Sequence, residues 1–206
     1  AKLAPAPAEH GAAGIDWAGV RLWWGDERFL PKGHPDRNET QARTALLDVL
    51  PVPESSIHPM PADGDGPWAS DPDAAATAYA HELAEAHEAS GTARDIDPVA
   101  VPAFDVVLLG VGPDGHVASL FPDHPDQRSA PGITVVGVRD SPKPPPTRVS
   151  LTFDALNRAR EVWLLAAGAE KAEAVANALG GKDRVAVPAS GVAGTQATRW
   201  LVDRAA

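Results

Sequence analysis

An aspartate and a histidine separated by one residue, Asp114 and His116, are the side chains whose types and spacing most directly suggest catalysis. They lie in the stretch GVGPDGHVASLFP (110–122), which follows the apolar run FDVVLLG (104–110). A carboxylate can orient an imidazole that accepts a proton, so the pair could act as orienting partner and general base. The alternative is structural: Asp114 caps a short helix and His116 packs against it. The residues alone leave both interpretations open.

The same stretch contains the pattern G-x-G-x-x-G at 110–115, which is typical of a dinucleotide-binding turn. Such a turn opens a helix whose free amides bind pyrophosphate. Here Pro122 limits a following helix to about two turns, and Pro113 removes one backbone amide from the loop. An acid does follow downstream at Asp140, but the pattern favours a loop that presents Asp114 and His116 to a cleft. We therefore expect no cofactor.

Other charged residues could meet an anionic substrate at the carboxyl ends of predicted strands. The first three follow an apolar run directly, the next two flank a run of prolines, and the last lies in the first turn of a predicted helix. Guanidinium and ammonium groups bind phosphate, and the free amides of a helix start can share it. An ordinary solvated turn, a rigid linker and a surface lysine are the structural alternatives. The residues are Asp26, Glu27, Arg28, Lys143, Arg148 and Lys171.

Composition excludes several classes of function. Asp and Glu number 28 against 18 Lys and Arg, and the net charge of -10 offers no basic surface for nucleic acid. The chain has no cysteine, which excludes disulfides, thiolate catalysis and cysteine-ligated zinc. No metal motif, serine-nucleophile pattern, signal peptide or apolar run of about 18 residues is present. We expect a soluble, cytoplasmic protein that binds no metal, nucleic acid or membrane.

Strand and helix patterns alternate along the chain and predict a single α/β domain over 1–206. The run 104–110 is continuously apolar, as expected of a central strand buried on both faces. The order predicts a mostly parallel sheet with helices on both faces, a Rossmann-like three-layer sandwich whose ligands gather at the carboxyl ends of the strands. Predicted strands are 19–24, 104–110, 133–138, 161–168 and 197–203, and predicted helices are 38–50, 71–91 (begun by Asp71 and Pro72, ended by Gly91) and 168–181.

Five segments together resemble the 6-phosphogluconolactonases. They are WWGDERFLP, DRNETQAR, FDVVLLGVGPDGHVASLFP, SPKPPPTRVSLT and WLLAAGAEKAEAV, and the resemblance runs from about Trp17 to the end of the chain. It implies a fold of the sugar-phosphate isomerase/lactonase type and hydrolysis of 6-phospho-D-glucono-1,5-lactone to 6-phospho-D-gluconate, a step of the oxidative pentose phosphate pathway. The related glucosamine-6-phosphate deaminases and isomerases carry a tyrosine at the place of Arg28 and continue differently after the histidine, so ASLFP and Arg28 favour the lactonase.

The resemblance also implies roles for individual residues. His116 matches the family's catalytic histidine and Arg28 its active-site arginine, while Lys171 falls where the related isomerases bind phosphate. A neutral imidazole can take a proton from the water that attacks a lactone, and neither a metal nor a covalent intermediate is required. Asp114 or Asp26 would hold the imidazole tautomer, and Arg28 or amides near Gly115 would stabilise the oxyanion. The expected substrate-binding residues are Gly115, Ser119, Lys143, Arg148 and Lys171.

Two alternatives and one departure accompany the resemblance. The alternatives are a deaminase or isomerase of amino-sugar phosphates and a non-catalytic sugar-phosphate sensor. Related families place a GGS-like phosphate loop after their first strand, and this sequence has its only Gly-Gly at Gly180. We therefore expect the domain, as given, to lack the natural N-terminal strand and phosphate loop. The expected partner is a small phosphosugar lactone, and the expected state is a monomer or weak homo-oligomer.

Overall fold

Residues 14–68, 70–90 and 99–206 are described in a computed structural model, and their strands form three sheets. Strands β1 and β3 pair in parallel, as do β4, β7 and β8, whereas β2, β6 and β5 form an antiparallel sheet. This combination of parallel sheets and helices confirms the predicted α/β fold. The strands are β1 (Leu22–Trp23), β2 (Asp26–Arg28), β3 (Ile57–His58), β4 (Val106–Gly110), β5 (Val135–Val138), β6 (Arg148–Leu151), β7 (Glu161–Ala166) and β8 (Ala197–Val202).

The strand predicted at 133–138 belongs to the antiparallel sheet. It is β5, which pairs with β6 through the register Val138 to Arg148. The loop 139–147 that joins these strands is too short for the crossover that a parallel pair needs, so the chain reverses direction there. The same sheet holds β2 against β6, with Asp26 opposite Ser150. Three segments that are distant in sequence thereby meet beside the loop that follows β4.

The helices largely follow the predicted patterns. Asp71 caps the long helix by accepting a bond from the Asp73 N–H at 3.0 Å, with Pro72 in the first turn. The predicted stop at Gly91 lies outside the described residues. The predicted helix 38–50 is shorter than expected because Leu46, at φ -146°, leaves the helical conformation and a separate 3₁₀ turn follows. The helices are α1 (Asn38–Ala45), α2 (Pro72–Ala89), α3 (Phe153–Leu156) and α4 (Ala172–Leu179), and a 3₁₀ turn (Ala169–Lys171) precedes α4.

Strand β4 is buried on one face only, contrary to the prediction of burial on both. Val107 and Leu109 are buried, whereas Leu108 remains 63% exposed. The exposed side chains continue across β7 and β8 with Leu165 and Leu201, because no described segment covers this face of the sheet. The prediction was wrong for the part of the fold that these residues describe.

A trough runs between the outer edges of β1 and β4. Strand β1 pairs only with β3 among the described residues, and β4 only with β7. Successive cavities along the trough are lined first by 19–23 with 104–106, then by 21–25 with 106–108, and then by 22–26 with 108–112. The two edges are therefore parallel and face each other. The trough opens into the site at the carboxyl ends of both strands.

Tyr79, which is fully buried in α2, ties the helix to β1 and β3. Its hydroxyl accepts a bond from the Trp24 N–H at 3.0 Å and donates one to the His58 carbonyl at 3.1 Å. Burial raises the pKa of this hydroxyl, which remains protonated and able to donate. The contact fixes the end of β1 from which Asp26 and Arg28 follow.

Candidate active site

The loop after β4 is closed by two hydrogen bonds between its own backbone groups, and these bonds fix the position of His116. The Gly112 N–H donates to the His116 carbonyl at 2.9 Å, and the Gly115 N–H donates to the Gly112 carbonyl at 2.9 Å. Gly115 has φ +82°, a conformation that favours glycine. A side chain at Gly112 would overlap the imidazole of His116 and the carboxylate of Asp114. The glycines therefore serve to place these two side chains.

No helix follows within 111–124, every residue of which the structure describes. The short helix that Asp114 was to cap is absent, so that alternative is wrong, and the dinucleotide pattern lacks the helix N-terminus that it requires. In its place the chain makes a tight reversal with a bridge between Val117 and Leu120. Ala118 adopts φ +49° in this turn, which directs Ser119 inward.

Asp114 and His116 form a direct pair. The Asp114 Oδ1 lies 2.5 Å from the His116 Nδ1, and the histidine side chain is 17% exposed. Burial raises the pKa of Asp114, but the hydrogen bond and charge of His116 and the charge of Lys143 outweigh it, so this pKa lies below its usual value. An ionised Asp114 can only accept, so Nδ1 carries the ring proton and Nε2 is left as an acceptor.

The pKa of His116 lies below its ordinary value. Burial is the main cause, and the charge of Lys143 acts in the same direction, while the hydrogen bond to Asp114 opposes both. The imidazole is consequently neutral near pH 7. A neutral ring whose Nε2 has no partner among the described residues has the protonation state that a general base requires.

Asp26, the first residue of β2, is held from several sides. The Ser119 hydroxyl donates to its Oδ2 at 2.7 Å, and the Asn38 side-chain amide donates to its backbone carbonyl at 2.8 Å. Arg148 Nη1 lies 3.9 Å from the same Oδ2. Ser119 also receives support, since its N–H donates to the Ser150 hydroxyl at 3.1 Å. These contacts fix the Asp26 carboxylate, and its charge favours the protonated form of His116.

Lys143 and Arg148 form a unit on the loop between β5 and β6. Arg148 Nε donates to the Pro145 carbonyl at 3.1 Å, and its Nη2 lies 3.2 Å from both the Lys143 and Pro144 carbonyls. The remaining nitrogen, Nη1, faces Asp26. Burial lowers the pKa of the Arg148 guanidinium. The Lys143 Nζ then lies 3.3 Å from the Asp114 Oδ1 and 3.3 Å from the His116 Nδ1. Arg148 thus places Lys143 beside the pair.

Arg28 has spare hydrogen-bonding capacity. Its Nη1 donates to the Asp36 carbonyl at 2.7 Å, while its Nε is buried without a partner among the described residues. Arg28 lines the cavity, and a guanidinium on a cavity wall suits an anionic oxygen of a ligand. Lys171, in the 3₁₀ turn before α4, reaches the same cavity.

The structure brings most of the predicted residues into one cavity of about 660 Å³. Asp114, Gly115 and Ser119 are not on its wall: Asp114 supports His116, Gly115 shapes the loop, and the Ser119 hydroxyl is occupied by Asp26. Asn38 is a wall residue that the sequence analysis missed, because an asparagine at a helix start is usually read as a cap. The predicted residues on the wall are Asp26, Arg28, His116, Lys143, Arg148 and Lys171.

Within 14–68, 70–90 and 99–206, no three His, Asp or Glu side chains are grouped as ligands of one metal ion. Over the same residues, no helix is both long and apolar enough to cross a membrane. A His–Asp pair among several cations, at the carboxyl ends of parallel strands, defines the class: an α/β protein with the site of an enzyme for anionic substrates.

Comparison with known proteins supplies the family. Residues 1–200 match the family of glucosamine-6-phosphate isomerases/6-phosphogluconolactonase. The 6-phosphogluconolactonase of Streptomyces coelicolor is 56% identical over 206 residues, covering 100% of this chain and 75% of that protein. That of Mycobacterium tuberculosis is 51% identical over 190 residues, covering 92% of this chain and 73% of its own length. The chain belongs to the glucosamine-6-phosphate isomerase/6-phosphogluconolactonase family.

A solved structure agrees with this assignment. The 6-phosphogluconolactonase of Thermotoga maritima superposes with a TM-score of 0.72 at 28% identity, over 92% of this chain and 75% of the other. The predicted resemblance and the predicted fold type are confirmed.

Proposed function

We propose that this protein hydrolyses 6-phospho-D-glucono-1,5-lactone to 6-phospho-D-gluconate. The observation that carries the proposal is the free Nε2 of a neutral His116, fixed by Asp114, in a cavity that also holds four cationic side chains. The family and the names of relatives that are more than half identical support the same activity.

In the proposed reaction, His116 acts as general base. Its Nε2 takes a proton from a water molecule while the water oxygen forms a bond to the lactone carbonyl carbon. Collapse of the tetrahedral intermediate breaks the bond to the ring oxygen, which receives the proton and becomes a hydroxyl, so that one water is consumed. Asp114 holds the Nδ1 proton throughout and stabilises the imidazolium that forms transiently.

The cationic side chains stabilise the oxyanion and bind the phosphate. Arg28, on the cavity wall, suits the developing oxyanion, and a well-placed donor contributes about 3 kcal/mol. Lys171 and the Nη1 of Arg148 suit the phosphate, and its binding positions the carbonyl relative to His116. Lys143 contacts the substrate while also facing Asp114.

We further propose that the single domain contains a strand in addition to those described, lying in the trough between β1 and β4. Such a strand would pair on both sides and join β3, β1, β4, β7 and β8 into one parallel sheet. Its carboxyl end would deliver a phosphate loop to the cavity that His116 lines. The expected N-terminal strand and loop fit this position.

The proposal extends to assembly and location. We propose a monomer or weak homo-oligomer in the cytoplasm, and a net charge of -10 favours separate molecules through mutual repulsion. Size-exclusion chromatography with light scattering tests the assembly, and a native oligomer stable at nanomolar concentration would contradict it.

The activity is tested with freshly generated lactone and 6-phosphogluconate dehydrogenase as the coupling enzyme. We expect hydrolysis well above the spontaneous rate, with 6-phosphogluconate as the product. A rate no higher than the spontaneous one would refute the lactonase. Ammonia release from glucosamine 6-phosphate in a parallel assay would instead indicate the deaminase.

A further inference from the structure

Glu27 is a buried carboxylate for which the proposed mechanism gives no role. It lies in β2 between Asp26 and Arg28, its residue is 0% exposed, and it is not on the cavity wall. A buried carboxylate is costly unless its oxygens are fully bonded. The contacts that Glu27 makes are therefore informative about its function.

The Glu27 carboxylate accepts from three backbone N–H groups. Oε1 accepts from Arg28 at 2.8 Å and from Asn38 at 2.6 Å, and Oε2 accepts from Glu39 at 2.9 Å. Arg37 Nη2, itself buried, lies 3.7 Å from Oε2 and balances the charge. Each oxygen is thus used, and the carboxylate joins β2 to the start of α1.

Glu27 replaces the local cap of α1. Arg37 occupies the cap position and makes no side-chain capping bond, so the first amides of the helix would otherwise lack partners. A carboxylate from another element satisfies these amides and interacts favourably with the helix dipole. Glu27 therefore links α1 to β2 through both of its carboxylate oxygens.

This junction carries three residues of the cavity wall. Asp26 and Arg28 flank Glu27 in β2, and Asn38 begins α1 and donates to the Asp26 carbonyl. We propose that Glu27 is a positioning residue for the reaction, which holds Asp26, Arg28 and Asn38 in their catalytic arrangement. The proposal rests on the proposed lactonase function.

Glu39 provides a matched control for a merely structural role. It is also an almost fully buried carboxylate at the start of α1, and it bonds to Arg37 at 3.4 Å and to Arg43 at 3.0 Å. Its side chain bonds to none of the three wall residues. Loss of either charge should destabilise the junction, but only loss of Glu27 should disturb the site.

The test compares Glu27→Gln and Glu39→Gln with the unmodified protein, well below all melting transitions. Glutamine at 27 turns an amide N–H₂ toward one set of donors, so the junction loosens. We expect kcat/KM for the lactone to fall roughly ten- to a hundredfold in E27Q, because small displacements of positioned groups cost rates of this order. In E39Q we expect kcat/KM within about twofold of the unmodified value, with a lowered Tm in both variants.

Amide hydrogen exchange supplies a readout that does not depend on activity. Exchange at Arg28, Asn38 and Glu39 should accelerate in E27Q and stay unchanged at Arg28 and Asn38 in E39Q. If E27Q does not fold, Glu27→Asp, which keeps the charge but is one methylene shorter, takes its place with the same expectations.

Three outcomes overturn the proposal: full activity in E27Q, equal loss of activity in E39Q, or unchanged amide exchange in E27Q. A failure of the unmodified protein to hydrolyse the lactone is distinguishable from these outcomes. It would refute the proposed function together with the positioning role of Glu27 in that reaction, while accelerated exchange in E27Q would still support the junction itself.

Discussion

At the scale of single residues, the site depends on how one imidazole is held. Asp114 fixes the proton on Nδ1, Gly112 leaves room for the ring, and Lys143 stands beside both groups. Burial and Lys143 lower the pKa of His116, and Asp114 only partly compensates. The balance leaves a neutral base near pH 7 whose Nε2 is available to water.

The pH dependence of kcat/KM should report this base. Protonation of His116 removes the acceptor, and since its pKa lies below the ordinary value of about 6.5, activity should fall only as the pH drops below that value. Asp114→Asn removes the charge that favours the imidazolium, so the acidic limb should move further down in pH. Its kcat should fall by about 10²- to 10⁴-fold because the asparagine amide can donate to Nδ1 and reverse the tautomer, as in the serine-protease precedent. A limb that moves upward would contradict the account.

Gly112→Ala tests whether the loop backbone sets the position of the ring. The added methyl group would overlap His116 and Asp114, so we expect kcat/KM to fall by about 10²-fold. Gly19→Ala is the control, because Gly19 is exposed, lies outside the cavity that His116 lines, and would place a methyl group no closer than 3.8 Å to a described atom. Steady-state kinetics of both variants, with circular dichroism to verify folding, would decide; equal rates in the two variants would exclude a steric role for Gly112.

At the scale of elements, three strand ends and one loop assemble the site. Strands β1 and β4 end at the same edge, β2 pairs with β6, and the loop 139–147 reaches across to His116 through Lys143. Tyr79 stabilises this arrangement, since its hydroxyl bonds to the backbone of Trp24, directly after β1, and of His58 in β3.

Tyr79→Phe should weaken this anchoring. The variant keeps the ring but leaves the Trp24 N–H and the His58 carbonyl without their buried partner, so the free energy of unfolding should decrease by about 1 to 3 kcal/mol. Equilibrium denaturation in urea measures it. A change below about 0.5 kcal/mol would mean that water or neighbouring groups replace the hydroxyl.

Sequence patterns predicted local structure better than they predicted which strands pair. Apolar runs located β4, β7 and β8, and Asp71 with Pro72 located the start of α2, because these signals lie within a few residues. The antiparallel placement of β5 depends on β6, and the support of Asp26 by Ser119 joins residues 93 positions apart. Such contacts follow from tertiary packing, which no local pattern encodes.

The same distinction between local signals and tertiary packing applies to the site residues. Asp114 and His116 were predicted because they are close in sequence, and Arg28 and Lys171 because they follow predicted strands, which the family resemblance supported. Asn38 left no local signal, and Glu27 was predicted to meet substrate, whereas its carboxylate caps α1 from another element. Their roles depend on the packing of β2 beside α1, which the sequence pattern does not reveal.

At the scale of the whole molecule, an apolar sheet face and two strand edges that pair with no described strand lie next to the site. Val106, Leu108, Leu165 and Leu201 are each more than two-fifths exposed, which is unusual for neighbouring residues of a central sheet. The proposed additional strand would pair with the edges, and we propose that a segment connected to it covers this face.

Leu108→Glu distinguishes an open face from a covered one. In the 206-residue chain the side chain is 63% exposed, so the charge should change the free energy of unfolding by less than about 0.5 kcal/mol. In a longer form that contains the proposed strand, a buried carboxylate should cost several kcal/mol. Thermal or urea unfolding of both forms tests this, and an equally small effect in both would refute coverage of this face.

The central claim, that His116 is the base of a lactone hydrolase, is tested most directly by the rate of lactone hydrolysis in His116→Ala. His124→Ala is a matched control, because His124 also faces an aspartate two residues away, Asp126, at 3.3 Å, but lies outside the cavity. We predict that His116→Ala lowers kcat/KM by about 10²- to 10⁴-fold and that His124→Ala leaves it nearly unchanged. Full activity in His116→Ala, with both variants folded, would contradict the account.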